Sequence, residues 1–151
     1  MIVSNSSCLI ILDKLGKLEV LKKLYTKITI PKAVKNEVFK SKTIPEWIEV
    51  IDIKQPIAPR ILEKTLGGGE SEAIALSLEV NADLLIVDDF AARKLAQELG
   101  IIITGVIGIL LEAKKRKLIP EVKSFLDKMR KYDFRISKGV YEESLKLAKE
   151  I

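Results

Sequence analysis

Apolar positions recur along the chain in blocks whose period switches between that of a strand and that of a helix. Ile2-Val3-Ser4 opens as a short strand. Ser6 or Ser7 then caps a helix to about Lys14, and Lys17 to Tyr25 continues as a second helix with Leu18, Leu21 and Tyr25 on one face. Lys27-Ile28-Thr29-Ile30 reads as a strand, and Pro31 opens a helix to about Lys40 from the first position, which suits proline. Pro45 to Ile53 is extended, with Trp47, Ile48, Val50, Ile51 and Ile53 as its apolar content; Gln55 to Pro59 is loop-like, and Ile57 to Leu66 adds a short helix. Helices from Glu70 to about Val80 and from Asp89 to Leu99 flank a strand at Leu84-Leu85-Ile86-Val87. In the later helix Ala92, Leu95, Ala96 and Leu99 form an i, i+3, i+4, i+7 stripe, which Gly100 ends. A strand at Ile101-Ile102-Ile103, a helix from Val106 to Lys115, and helices over Pro120 to Lys131 and Ser137 to Glu150 complete the pattern.

Strands separated by helices predict an α/β fold: one domain over residues 1–151, with a central, mostly parallel sheet and helices on both faces. Ligand sites in such sheets form beyond the carboxyl ends of the strands. Those ends carry Asn5-Ser6-Ser7, then Pro31 with Glu37 further along its helix, then Asp88-Asp89, then Thr104-Gly105.

Helical register sorts the acids. Val34 and Val38 mark the buried face of their helix, and Glu37 borders it. Ala73, Ile74, Ser77 and Leu78 form a stripe that Glu70 shares, whereas Glu72 aligns with Ala75, Leu76 and Glu79. With Gly69 as N-cap, Glu72 takes the third helical position and a capping role, leaving the inward role to Glu70. An acid just before a helix is a routine cap, so one of Asp88 and Asp89 is expected to be only that. The glycines of Gly67-Gly68-Gly69-Glu70-Ser71-Glu72 do not make a phosphate loop. No strand precedes them, no Gly-Lys-Ser/Thr follows, and two carboxylates would repel a phosphate unless a cation intervened.

Composition narrows the chemistry. Apolar residues make up 48% of the chain, which fits a folded domain. The net charge of +5 permits a polyanionic partner without requiring one. There is no histidine, which removes Ser-His-Asp and Cys-His catalysis and every His-based metal site. The single cysteine, Cys8, cannot form an internal disulfide and sits in an apolar run that favours packing. The apolar stretch Ile101 to Leu111 is broken by Gly105 and Gly108, and no leader is visible at the start, so the expected location is the cytoplasm, away from membranes. Carboxylates are left to do the work. If Glu37, Glu70 and Asp88 or Asp89 converge, the like-charge cluster binds a hard cation, Mg²⁺ or Mn²⁺, and suits phosphate esters. Lys114-Lys115-Arg116-Lys117 reads first as a solvated helix end, and second as a contact for a phosphate backbone.

The order of these pieces resembles the PIN domain, the nuclease fold of VapC-type toxins. The resemblance spans nearly the whole chain and rests on Ile2-Val3-Ser4-Asn5-Ser6-Ser7, Ile30-Pro31-Lys32-Ala33-Val34 with Glu37-Val38, Gly69 to Leu76, Ala82 to Asp89 with Arg93, and Gly105-Val106-Ile107-Gly108. It implies a PIN-like three-layer domain, Mg²⁺ or Mn²⁺ at clustered acids, and endonucleolytic cleavage of single-stranded RNA. A small antitoxin protein and a homodimer are the implied partners. By position Glu37 resembles the second family acid, Glu70 the third with Glu72 as its alternative, and Asp88 or Asp89 the last. Asn5 stands where the family usually has aspartate; its oxygen can still ligate but brings no charge. Glu37, Glu70, Asp88 and Asp89 are thus the expected metal ligands. Asn5 and Ser6 position the ion or its water, and Arg93 supports them. The alternative that Asn5 raises is a PIN-like module that binds RNA or a partner with little or no catalysis.

Overall fold

A computed structural model describes all residues, Met1–Ile151. In chain order they form β1 (Ile2–Ser4), α1 (Ser6–Lys14), α2 (Val20–Tyr25), β2 (Ile28–Ile30), α3 (Lys32–Val38), β3 (Ile48–Val50) and α4 (Ile57–Leu62). There follow α5 (Gly68–Glu79), β4 (Leu84–Ile86), α6 (Phe90–Glu98), β5 (Ile103–Thr104), α7 (Val106–Lys115), α8 (Lys123–Lys131) and α9 (Lys138–Leu147). All five strands are parallel, in the order β3-β2-β1-β4-β5. Val3 at the centre lies opposite Thr29 on one side and Leu85 on the other.

The central strands are buried on both faces, which explains why they read as apolar runs and not as alternating ones. On one face Leu9, Leu12 and Leu21 pack with Ile109, Leu110, Leu126 and Met129. On the other, Ala73, Ile74 and Leu76 of α5 pack with Val3, Leu85, Ala92 and Ala96. Helices on both faces make three layers, the architecture expected. The strand order reverses between β1 and β4, so the crevice favoured for ligands opens where Asn5-Ser6-Ser7 and Asp88 leave the sheet.

Several boundaries differ from the sequence reading, each for a tertiary or local reason. α2 begins at Val20 and not at Lys17, because Val20 N and Leu21 N bond back to Lys17 O and Leu18 O in tight three-residue turns. β5 is shifted to Ile103–Thr104 by its register with Leu85 and Ile86. α8 starts at Lys123, where Glu150 from the far end of the chain meets it. The Glu150 carboxylate accepts from Val122 N at 2.7 Å, Lys123 N at 3.0 Å and Lys114 Nζ at 3.0 Å. Burial pushes this carboxyl up, but those hydrogen bonds and the Lys114 charge outweigh burial and hold it below the ordinary glutamate value.

A carboxyl whose folded pKa is depressed stabilises the protein above its unfolded pKa and stops doing so as pH falls through the folded value. Glu150→Gln is therefore expected to lower unfolding free energy by about 0.5–2 kcal/mol at neutral pH, the range of a lost helix cap. The gap to wild type should close in acid, once both side chains are neutral. Urea unfolding at neutral and acidic pH measures it, and an equal loss at both would refute the charge-based account.

Candidate active-site cleft

Asn5 follows β1, and its backbone N–H bonds to Ile86 O at 3.0 Å, tying the chain to β4 at the crevice. The residue is fully buried. Its Oδ1 accepts from Cys8 N at 3.2 Å, and its Nδ2 donates to Ser7 Oγ at 3.1 Å. Asn5, and not Ser6 or Ser7, is the N-cap of α1.

α5 starts two residues earlier than expected, with Gly67 as its N-cap. Glu70 then holds the third helical position, the one assigned to Glu72 on the expectation that Gly69 was the cap. Glu72 serves a different helix: it accepts from Ala33 N at 3.2 Å, at the start of α3. None of the three glycines has a positive φ, so backbone torsion is not why they are glycine. Close approach is the reason at two of them. A Cβ on Gly69 would lie 2.8 Å from both Glu37 Oε1 and Ser6 Oγ, and one on Gly67 would lie 2.7 Å from Glu70 Oε2. At Gly68 the nearest atom would be Glu63 Oε1 at 3.8 Å, an ordinary contact. Gly68→Ala is therefore expected to stabilise the fold by about 0.4–1 kcal/mol through the unfolded chain. Gly69→Ala should displace the Glu37 carboxylate and the Ser6 hydroxyl. Thermal unfolding of the pair, with wild type as reference, checks this, and a destabilised Gly68→Ala would contradict it.

Ser6 Oγ is buried without a hydrogen-bond partner, and it approaches Gly69 as the exposed Glu37 carboxylate also does. A buried hydroxyl without a partner is costly, and it leaves a donor and lone pairs for a ligand.

Asp88 and Asp89 separate cleanly. Asp88 turns inward: its Oδ2 accepts from Cys8 Sγ at 2.9 Å and from Val106 N at 3.1 Å, where α1 and α7 begin. Its Oδ1 lies against Gly105, where a Cβ would collide with it, and 4.0 Å from Arg93 Nη1. Arg93 also donates to Val87 O at 3.1 Å and so clamps the end of β4. Asp89 is exposed and is the N-cap of α6, accepting from Ala92 N at 2.9 Å. Cys8, read from sequence as packing alone, thus also holds Asp88. Burial, then the Asp88 charge and hydrogen bond, push its thiol well above the ordinary range, so it stays a neutral donor.

The N-caps Asn5, Gly67, Asp89 and Gly105 start four helices along this crevice. Their partial positive charges favour ionised carboxylates and, beyond them, a phosphate. A cleft of about 1160 Å³ opens there, lined by Ser7, Glu70, Asp88, Asp89 and Arg93 on one side and by Phe134 to Ser137 on the other. Glu37 lies outside this lining, across Gly69 with Ser6. Glu72 lines a separate hollow with Lys32, Arg60 and Glu63. No three acidic or cysteine side chains converge tightly enough to cage an ion by themselves. A Mg²⁺ ion keeps several waters and is usually held by only one or two carboxylates. The orphaned Ser6 hydroxyl and the side-chain-free approaches at Gly67, Gly69 and Gly105 fit such an ion.

Two features escaped the sequence reading. Phe90, 80% exposed, stands on the rim beside the Asp89 cap. The segment Phe134 to Ser137 between α8 and α9 closes the far wall. The available signal was an aromatic at the first, outward position of α6. In the run Lys114-Lys115-Arg116-Lys117, Lys114 binds Glu150 and Ala148 O and Arg116 binds Glu112 and Leu24 O, which takes two of the four cations away from the alternative role of phosphate contact.

A family model described as PIN domain matches residues 1–150. No curated protein and no solved structure gives a significant match. No helix is long and apolar enough to cross a membrane.

Proposed function

The chain belongs to the PIN-domain family, nuclease-type domains that generally depend on divalent metal ions, and we propose that it is an endoribonuclease cutting single-stranded RNA with Mg²⁺ or Mn²⁺. The observation that carries this reading is that Glu70 and Asp88 face one cleft at the switch point of the sheet. In this reading Glu70 and Asp88 hold the ion, with Glu37 and the Ser6 hydroxyl beside it. Asp89 and Asn5 serve as caps that fix the approach of α6 and α1. When bound, the ion supplies charge that offsets the carboxylates and the phosphate. Arg93 keeps the end of β4 in place and adds a cation at the cleft. Phe90 offers a free ring face on which an unpaired base stacks, which a duplex, with its bases already stacked, does not match. A toxin role in a toxin–antitoxin pair, with a small antitoxin, a homodimer and a cytoplasmic setting, rests on the family resemblance alone.

Cleavage of labelled single-stranded and double-stranded RNA, with Mn²⁺ and with chelator, tests the proposal. Metal-dependent scission of the single strand supports it, and no scission in any condition refutes it. Phe90→Ala is expected to weaken binding of single-stranded RNA by about 1–3 kcal/mol, the worth of one stacked base. The loss should appear in KM and much less in kcat; a kcat defect at unchanged KM would remove the stacking role.

One observation favours a second reading, RNA binding without turnover. Asn5 is buried and uncharged at the position where a further acid would complete the cluster. Binding with no cleavage in wild type, and cleavage in Asn5→Asp, would select it.

A further inference from the structure

We infer that the C-terminal end of α8 carries a track for the backbone of single-stranded nucleic acid, leading away from the cleft. The inference rests on the proposed RNA substrate and says where that strand runs outside the site.

Residues 123–135 carry five cations, Lys123, Lys128, Arg130, Lys131 and Arg135, against Asp127 and Asp133. Asp127 is already engaged by Lys123 at 2.9 Å and by the Tyr141 hydroxyl at 2.7 Å. Lys14 and Lys17 from the end of α1 join this surface. Lys14 Nζ sits 5.6 Å from the centre of the Tyr132 ring, and Lys17 and Lys128 stand 5.7 and 5.8 Å from the centre of the Phe125 ring. Arg130 lies 4.1 Å from the centre of the Tyr141 ring. None of Lys14, Lys17, Lys128, Arg130, Lys131 and Arg135 forms an ion pair. Asp13 and Glu19 neighbour Lys14 and Lys17 in sequence, and Asp133 shares a hollow with Arg130 and Arg135, so the surplus is positive but not unopposed.

Continuity with the cleft decides the occupant. Arg135 lines both the cleft and the hollow that contains Arg130, and Lys128 and Lys131 share the last turn of α8 with Arg130. A helix C-terminus alone favours a cation or two, through its carbonyl dipoles. It does not account for unpaired Lys14 at the end of α1 and Lys17 just beyond it, held over the rings of Tyr132 and Phe125. Unpaired cations around the one exposed ring of this surface, Tyr132, suit a polyanion, and the cleft supplies its direction. The acidic catalytic wall repels a bare backbone, so a cationic surface to one side also offsets that repulsion.

The test is binding, measured with chelator present so that no strand is cut. Wild type is expected to bind RNA of about 20 nucleotides at least tenfold more tightly than RNA of about 6, because only the longer strand reaches the track. The exposed triple variant Lys14→Glu/Lys128→Glu/Lys131→Glu should lose most of that gain. Its salt dependence should be shallower by roughly 2 in slope, for three single-strand contacts at about 0.7 each. A control reversing Lys22 and Lys23 should keep the gain. Unchanged length dependence in the triple variant, equal losses in the control, or no RNA binding by wild type overturns the track. So does loss of binding to phosphatidylserine vesicles in place of RNA. Cleavage is read separately: a length-dependent binder that never cuts keeps the track and removes the nuclease reading.

Discussion

Asp88→Asn is expected to lower metal-dependent RNA cleavage by about a hundredfold or more, since even groups that merely support metal ligands cost about 10–100-fold when replaced. The substitution keeps the shape. An asparagine oxygen can still accept from Cys8 Sγ and Val106 N, which now meet Oδ2. The amide then takes the place of Oδ1, the oxygen turned to Gly105 and Arg93, so what is lost is one negative charge in the cleft. Stability should therefore stay near wild type, and the effect should reside in the ion. Two measurements read it: single-turnover cleavage, and the rise in melting temperature on adding Mn²⁺, which follows the ion's affinity for the folded state. Wild type should show both and Asp88→Asn neither. Asp89→Asn is the matched control, because asparagine caps a helix as well as aspartate does. Equal losses in the two variants would move the site out to the α6 cap, and wild-type cleavage by Asp88→Asn would end the assignment.

The choice between these neighbours shows where sequence reasoning stops. The strand-helix alternation was enough for the layers and for the edge where acids gather, because both depend on local periodicity. Glu70 was legible as inward because its stripe with Ala73 and Ile74 is a property of one helix. Asp88 and Asp89 were not separable, since Asp88 is fixed by Cys8, 80 residues away, and by Val106, 18 away. No local pattern contains those contacts.

The triple glycine teaches the same lesson from the backbone side. Sequence placed the helix start at Glu70 because glycine is a poor helix former. The structure starts it at Gly68, since packing tolerates the propensity cost where Glu37 and Ser6 need the space that a side chain on Gly69 would fill. Glu72 was given a capping role in its own helix, but its partner lies 39 residues away on α3. The far wall at Phe134 to Ser137 has no periodicity to read; only tertiary placement brings it to the cleft.

Asn5→Asp carries the second large effect, and it has two signs. The aspartate can still accept from Cys8 N, and Ser7 Oγ can turn to donate where it now accepts, so the cap of α1 survives. What changes is a full charge at a position with no exposure, at the start of the helix whose Cys8 holds Asp88. The helix dipole offsets part of the desolvation cost but leaves the repulsion from the other acids. In chelator the variant should be less stable than wild type by about 1–3 kcal/mol, the cost of an uncompensated buried polar group. With Mn²⁺ the order should reverse. Each tenfold gain in ion affinity adds about 1.4 kcal/mol at saturating metal, and cleavage should rise by about tenfold or more as the added carboxylate draws the ion to the crevice between β1 and β4. The crossing of the two stability curves on metal addition is the diagnostic, because a merely disruptive substitution lowers both. If Asn5→Asp shows the same Mn²⁺ response and the same cleavage as wild type, the end of β1 does not belong to the ion's site, and Asn5 is there solely to start α1.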